Sequence, residues 1–328
     1  MALIILTDPD PITAFRIVMK RISYLLMPLS VLFIKYYPQY GRGFDAWSGE
    51  GVNTGIHLSK SELGGACMLF GIFFFWNLLM SLRIEDRRIK IEEFCLSLGF
   101  FCMIMWLLRM AHSSTSLVTF LIGVVTMGML GLRMVNKRFI GTYVIVAAIV
   151  VVAAELIFGM SGKIIELLGE DPTLTDRTKV WADCIALVDN PFLGAGFESF
   201  WLGSRLEILW AKWWWRPNQA HNGYIETYLN LGFLGVFLLV GVIVSAFRKI
   251  TIDLLTNFDF ARLRLGFLFA IIFYNYTEAS FKGVSIIWTI FSIIAINYPK
   301  PTRYQMEKTV AVTTRPVSYH RYVKGRKL

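Results

Sequence analysis

Residues 221–249 read HNGYIETYLNLGFLGVFLLVGVIVSAFRK, and this stretch decides the class of the molecule. Tyr224 to Phe247 is long and apolar enough to cross the ~30 Å hydrocarbon core of a bilayer as a helix. Its ends differ chemically, with His221-Asn222 at one mouth and Arg248-Lys249 at the other. Outward from it, further apolar runs lie at 63–82, 94–108, 117–132 and 139–158, with shorter or more interrupted ones at 22–37, 265–281 and 284–298. Of 328 residues, 55% are hydrophobic and 17% charged, where a soluble domain carries about 25% charged residues. The chain therefore reads as an all-α, polytopic membrane helical bundle of about eight transmembrane helices.

The net charge of +10 does not point to nucleic acid, because Lys and Arg concentrate in short loops and in the tail. Loops 83–93, 133–138 and 248–264 and both termini are basic; loops 38–62, 109–116, 160–222 and 282–283 alternate with them. The large loop holds eight Asp or Glu against six Lys or Arg. By the bias of basic residues toward the cytoplasm, both termini are expected inside and the large loop outside, periplasmic in a bacterial inner membrane. The expected division is a cytoplasmic or interfacial segment at 1–21, helices 1–5 at 22–159, a large loop carrying short helices at 160–222, helices 6–8 at 223–298 and a basic cytoplasmic tail at 299–328.

Candidate chemistry gathers on the large loop. Thr175 or Asp176 can cap a helix in which Val180, Trp181, Cys184, Ile185 and Val188 share one face. Arg177 then falls in the first turn, where a cation opposes the helix dipole but suits a bound phosphate; by residue type alone, a surface pair with Asp176 or Asp183 is the simpler reading. Asn190-Pro191 followed by Gly194 and Gly196 allows a tight turn. Phe197, Phe200, Trp201, Trp210, Trp213, Trp214 and Trp215 make a segment suited to seating among lipid head groups or to stacking on sugar rings, with Arg205, Lys212 and Arg216 available to head groups or a lipid-linked pyrophosphate. His221 sits at the membrane boundary and offers the side chain suited to general acid–base work near neutral pH. Gly232 and Gly235 would let a neighbour approach closely. Glu278 and Lys282 are spaced for a structural i,i+4 ion pair, and Ser113 to Ser116 can cap the following span. The four cysteines have neither disulfide nor zinc spacing, and no HExxH, Walker, Gly-x-Ser-x-Gly or Asp-rich motif occurs, so neither metal nor cofactor is expected.

Taken in order, these pieces resemble the O-antigen ligase and polymerase superfamily. The resemblance rests on Asp176-Arg177-Thr178-x-x-Trp181, on Pro191-Phe192-Leu193-Gly194-Ala195-Gly196 and on His221-Asn222-x9-Gly232-x-x-Gly235. Lys60-Ser61-Glu62-Leu63-Gly64 is similar to the family's Lys-Asn-x-Leu-Gly, with Ser61 in place of Asn, and Thr277-Glu278-Ala279-Ser280 to its late Thr-Glu-Ser. The resemblance implies an inverting, metal-independent membrane glycosyltransferase. Its donor is a glycan on undecaprenyl pyrophosphate; its acceptor is a sugar hydroxyl, on lipid A-core or on a growing chain. Carried over, His221 would deprotonate or orient the acceptor, and Arg177 would hold the pyrophosphate. Arg42, Lys60 and Arg205 are further candidates for that anion. Arg109 stands one turn before the serine-rich turn in which many members carry a cation and this chain has Ser114. Asn222, Trp181, Trp214, Trp215 and Glu278 would contact acceptor or glycan. Membrane lipids and polysaccharide export or assembly proteins are the implied partners. The family usually has ten or more spans, so eight imply that spans before residue 1 are missing. The alternatives are a multispan transporter or flippase of a lipid-linked or anionic sugar, whose expected inverted repeat is not found, and an inactive, truncated partner of a polysaccharide assembly complex.

Overall fold

The computed structural model describes residues 5, 7–44, 49–147, 149 and 175–296. Helices Pro11–Tyr36 (α1) and Pro38–Gly41 (α2) lead into a small antiparallel hairpin, Arg42–Phe44 (β1) with Gly51–Asn53 (β2), in which Gly43 faces Val52. Then come Lys60–Ser81 (α3), Arg87–Met110 (α4) and Ser114–Gly131 (α5). Beyond them lie two short helices of the large loop, Thr175–Ala186 (α6) and Ser204–Lys212 (α7), and then Gly223–Asp253 (α8), Phe258–Thr277 (α9) and Ile286–Ala295 (α10).

Among the described residues, five helices, α1, α3, α4, α5 and α8, are long and apolar enough to cross a membrane. α9 runs 20 residues but carries Asp259, Arg262 and Arg264 near its start, and α10 is apolar but has only 10 residues. The span expected at 139–158 is helical at 140–147 and at 149; residues 148, 150–158 and 160–174 and the expected tail at 299–328 lie outside the described residues.

α3 is the centre of the bundle. Leu63 through Phe74 are all buried, between α4 and α5 on one side and α9 on another. Gly64 and Gly65 make this possible: a Cβ on Gly65 would stand 2.8 Å from the Tyr274 hydroxyl oxygen of α9. The expected break between an interfacial segment and a span at residue 22 is absent. α1 is one helix from Pro11, started by Asp10, whose side chain accepts the Thr13 N–H. It continues through Pro28, and its buried Ser23 and Ser30 bond back to the carbonyls of Lys20 and Leu26. The 38–62 loop is likewise not merely polar coil, because the β1–β2 hairpin closes over the end of α1.

The helices alternate in direction, so the bundle has two ends. α6, α7 and the hairpin lie at one, here the loop end. Arg83, Arg87, Arg88, Arg248, Lys249, Arg262 and Arg264 lie at the other. Arg264, 1% exposed, ties that opposite end together. Its guanidinium donates to the Ile294 and Ile296 carbonyls closing α10, at 2.8 and 2.9 Å, and to Asp253 of α8 at 2.6 Å. The last carbonyls of a helix have no partner within it, and without Arg264 those of Ile294 and Ile296 lose the donor they have. Arg264→Ala is therefore expected to destabilise the bundle by about 1–3 kcal/mol or more, read as a fall in thermal midpoint in detergent.

Candidate functional site

The loop end is built around the last turn of α9. Asn222 caps α8: its side-chain oxygen accepts the Tyr224 and Ile225 N–H groups at 3.0 and 3.1 Å, as a capping residue in extended backbone does. Its amide nitrogen donates to the Tyr276 carbonyl at 3.0 Å, and the Gly223 N–H donates to the Glu278 carbonyl at 3.1 Å. Both bonds join the start of α8 to the end of α9. Arg177, in the first turn of α6, donates from Nη1 to the Thr277 carbonyl at 3.0 Å, a cation placed where the dipole of α9 is negative. The Thr277 hydroxyl meets that of Thr115, at the start of α5, at 2.8 Å.

Glu278 leaves α9 in extended backbone and does not pair with Lys282. The i,i+4 pair expected from spacing needs a helix that continues, and α9 ends one residue earlier. The Glu278 carboxylate turns instead to two other elements. Oε1 accepts the Ser61 hydroxyl of α3 at 2.7 Å, and Oε2 stands 3.7 Å from His221 Nδ1. Lys282 reaches the side-chain oxygen of Gln219 at 3.4 Å, and the Gln219 amide lies 3.5 Å from His221 Nδ1. His221 itself has φ +50°, the left-handed region, an uncommon conformation for a non-glycine residue and a frequent one at functional sites.

Burial pushes the Glu278 carboxyl up, but His221, the Ser61 hydroxyl and the Arg177 charge together outweigh it and hold it below its ordinary value. A carboxyl depressed in the folded state contributes stability above its unfolded value and loses it as pH falls through the folded one. Wild type is thus expected to be more stable than Glu278→Gln at neutral pH, with the difference vanishing below the ordinary carboxylate value of about 4.3. Thermal unfolding of both across pH 3–7 checks this, and a gap that persists at the acid end would contradict it.

The large loop has its own small core: Val180, Cys184, Phe200, Leu209, Ala220 and Leu229, with Trp181, Trp201, Trp213 and Trp215 packed against it. Much of the aromatic segment is thus the inside of a domain, while Phe197, Trp210 and Trp214 are exposed. Cys184 belongs to that inside: burial, then the nearby charges of Glu226 and Asp183, push its thiol up to about 12. Asp183 accepts Lys212 Nζ at 2.7 Å and the Trp213 indole at 3.0 Å, so its acidic role is tying α6 to α7. The stretch at 190–196 docks into a break in α8. At Gly232 the helix is interrupted, with φ 62° and ψ −161°. The Pro191 and Phe192 carbonyls accept the Phe233 and Leu234 N–H groups, while the Leu229 and Asn230 carbonyls accept those of Ala195 and Gly196. The two glycine-bearing motifs thus satisfy each other's backbone, and the close neighbour expected at Gly232 is a loop rather than a helix.

The structure brings Arg177, Asn222, His221 and Glu278 together, with Trp181 directly behind through its indole N–H to the Ala220 carbonyl at 2.6 Å. Lys60 begins α3 next to Ser61. Other proposed pyrophosphate cations are elsewhere. Arg205 is held inside the loop by Asp189 at 3.0 Å and by the Ser199 and Phe200 carbonyls. Arg42 donates twice to the Ile34 carbonyl, closing the end of α1. Arg109 is exposed in the last turn of α4. Trp215 packs against the loop core, and Trp214 beside it in sequence is exposed. Ser113 caps α5, as its type allows. Ser61, Gln219 and the buried Glu226 were not legible as site residues; an acid inside an otherwise apolar span is the signal that marks Glu226.

Comparison with known proteins places this geometry. Residues 98–240, from mid-α4 through the large loop and the break in α8, match the family model described as O-antigen ligase. A search of curated proteins finds similarity to the "exopolysaccharide production protein ExoQ" of Rhizobium meliloti (strain 1021), 27% identical over 234 residues, covering 68% of this chain and 51% of that protein. The chain thus spans about half the length of the curated relative it matches. The matched residues 98–240 take in both Arg177 and His221, and through them this chain is similar to the O-antigen ligase family.

Proposed function

We propose that this chain carries the site of a membrane glycosyltransferase that moves a glycan from undecaprenyl pyrophosphate to a sugar hydroxyl. The observation that carries the reading is the facing of His221 and Glu278 at 3.7 Å, beside Arg177, at the loop end of the bundle. Glu278 orients the imidazole through Nδ1, which leaves Nε2 to take the acceptor proton. The acceptor oxygen then bonds to the anomeric carbon, the bond from that carbon to the pyrophosphate oxygen breaks, and the pyrophosphate leaves with the electron pair. Negative charge grows on the leaving group in the transition state, where a fixed guanidinium lowers the barrier; Arg177 serves that purpose, and no metal is invoked. The concentration of Arg and Lys at the opposite end supports a cytoplasmic position for it and a periplasmic loop in the bacterial inner membrane. The relative's role in exopolysaccharide production favours a growing polysaccharide chain over lipid A-core as acceptor.

The test uses the donor that accumulates in cells lacking this protein, extracted as lipid-linked glycan and supplied to the full chain in nanodiscs. Transfer by wild type, lost in His221→Ala and in Arg177→Ala, is expected. Full activity in both variants would remove the site assignment. Wild-type protein that binds the donor without turning it over would favour a non-catalytic partner.

A further inference from the structure

We propose that Glu226 is a positioning residue that fixes the place of the His221 imidazole; in its catalytic meaning this rests on the function proposed above. Glu226 lies in the first turn of α8, 9% exposed, and its carboxylate accepts three N–H groups. Oε1 takes the Trp201 indole at 2.7 Å and the Asn230 amide at 3.1 Å; Oε2 takes the backbone N–H of Ala220 at 2.9 Å. The carbonyl of the same Ala220 accepts the Trp181 indole at 2.6 Å. Both peptide groups of the residue before His221 are therefore held by buried side chains, one from α8 and one from α6. His221 then turns through its positive φ, and Asn222 is pinned to α9. The imidazole hangs between two fixed peptides, facing Glu278 on a third element.

The chemistry of the partners argues for a carboxylate in particular. All three are donors, and an ionised carboxylate is the side chain that only accepts. A glutamine has the same shape but turns an NH2 toward one of those donors, so the Glu226→Gln variant breaks one side of the brace without opening a cavity. The bond to Asn230 extends the brace further: its side-chain oxygen accepts the Phe200 N–H at 3.2 Å, and its carbonyl bonds to Gly196 beside the α8 break. One carboxylate thereby couples the histidine's position to the seating of the 190–201 loop.

The test reads His221 directly, by the rate at which diethyl pyrocarbonate carbethoxylates each histidine of the full chain in nanodiscs, followed by peptide mass spectrometry. In Glu226→Gln the His221 rate is expected to change several-fold, with His57 and His112 unchanged. Transfer from the extracted lipid-linked glycan is expected to fall about 10²-fold in kcat with KM nearly constant, the scale expected when a reacting group is misplaced by about 1 Å. Trp181→Phe, which keeps the ring and removes the donor to Ala220, is expected to act in the same direction and decides the matter if Glu226→Gln does not accumulate. An unchanged His221 rate and kcat would overturn the proposal, as would His57 and His112 changing together with it, which indicates general loosening. If His221→Ala retains full transfer, the functional reading fails, while the labelling still decides whether Glu226 places the ring.

Discussion

Replacing His221 with alanine is expected to lower glycan transfer by about 10²–10⁴-fold, the usual contribution of a positioned general acid–base group, while leaving the protein folded. The imidazole is 29% exposed and its polar neighbours Glu278 and Gln219 keep other partners without it. Ser61 still donates to Glu278, and the Glu278 carbonyl still accepts the Gly223 N–H. The thermal midpoint is therefore expected to move little, and kcat to carry the loss. Arg177→Ala is expected to cost about 10²–10³-fold, as for removal of one fixed group that meets developing charge. Arg177→Lys should recover only part of this, because an ammonium lacks the planar fork that suits phosphate oxygens while still touching the Thr277 carbonyl. Comparison of kcat, KM and thermal midpoint for the three variants checks the set. A fall in stability matching the fall in rate would mean that these residues hold the fold rather than serve the reaction.

Gly232→Ala is expected to have the largest effect on the protein's existence in the membrane. Its backbone, at φ 62° and ψ −161°, lies in a region essentially confined to glycine, at a cost of about 1–3 kcal/mol for other residues. The neighbour makes this worse: an added Cβ would overlap the backbone of Phe192, the residue whose carbonyl accepts the Leu234 N–H. Relieving the overlap means expelling the 190–196 loop, which leaves the Phe233 and Leu234 N–H groups and the Leu229 and Asn230 carbonyls without partners inside the bundle. Unsatisfied backbone groups cost several kcal/mol each in an apolar surrounding. The expected result is loss of accumulated protein, or a thermal midpoint too low to measure, with Gly194→Ala close behind for the reciprocal reason. Near-normal accumulation and transfer in Gly232→Ala would show that the break is not needed.

Much of the site was readable in advance, though unevenly. Arg177 and His221 each have a simpler reading alone, a surface pair and a polar span end, and take their roles from the order of motifs in the family resemblance. The i,i+4 spacing of Glu278 and Lys282 presumes a helix that here stops at Thr277. Arg42 and Arg205, further candidates for the anion, are occupied elsewhere, because residue type does not say which carbonyl or carboxylate will take up a guanidinium. Ser61 and Glu226 are not informative as site residues until α9 and the Ala220 peptide are set beside them.

By itself the sequence determined the membrane class and the all-helical character. Those follow from hydropathy and charge, which act along the chain and need no partner; Arg177 and His221 come from the order of motifs in the family resemblance. The tertiary structure alone decided that Thr277 and Glu278 are the meeting point of α3, α5, α6, α8 and α9, that the two glycine motifs interlock through their backbones, and that Trp181, Trp201, Trp213 and Trp215 pack against a loop core. Each of these is a bond between segments 25 to more than 200 residues apart, and which of many equivalent donors and acceptors meet is settled only when the helices pack.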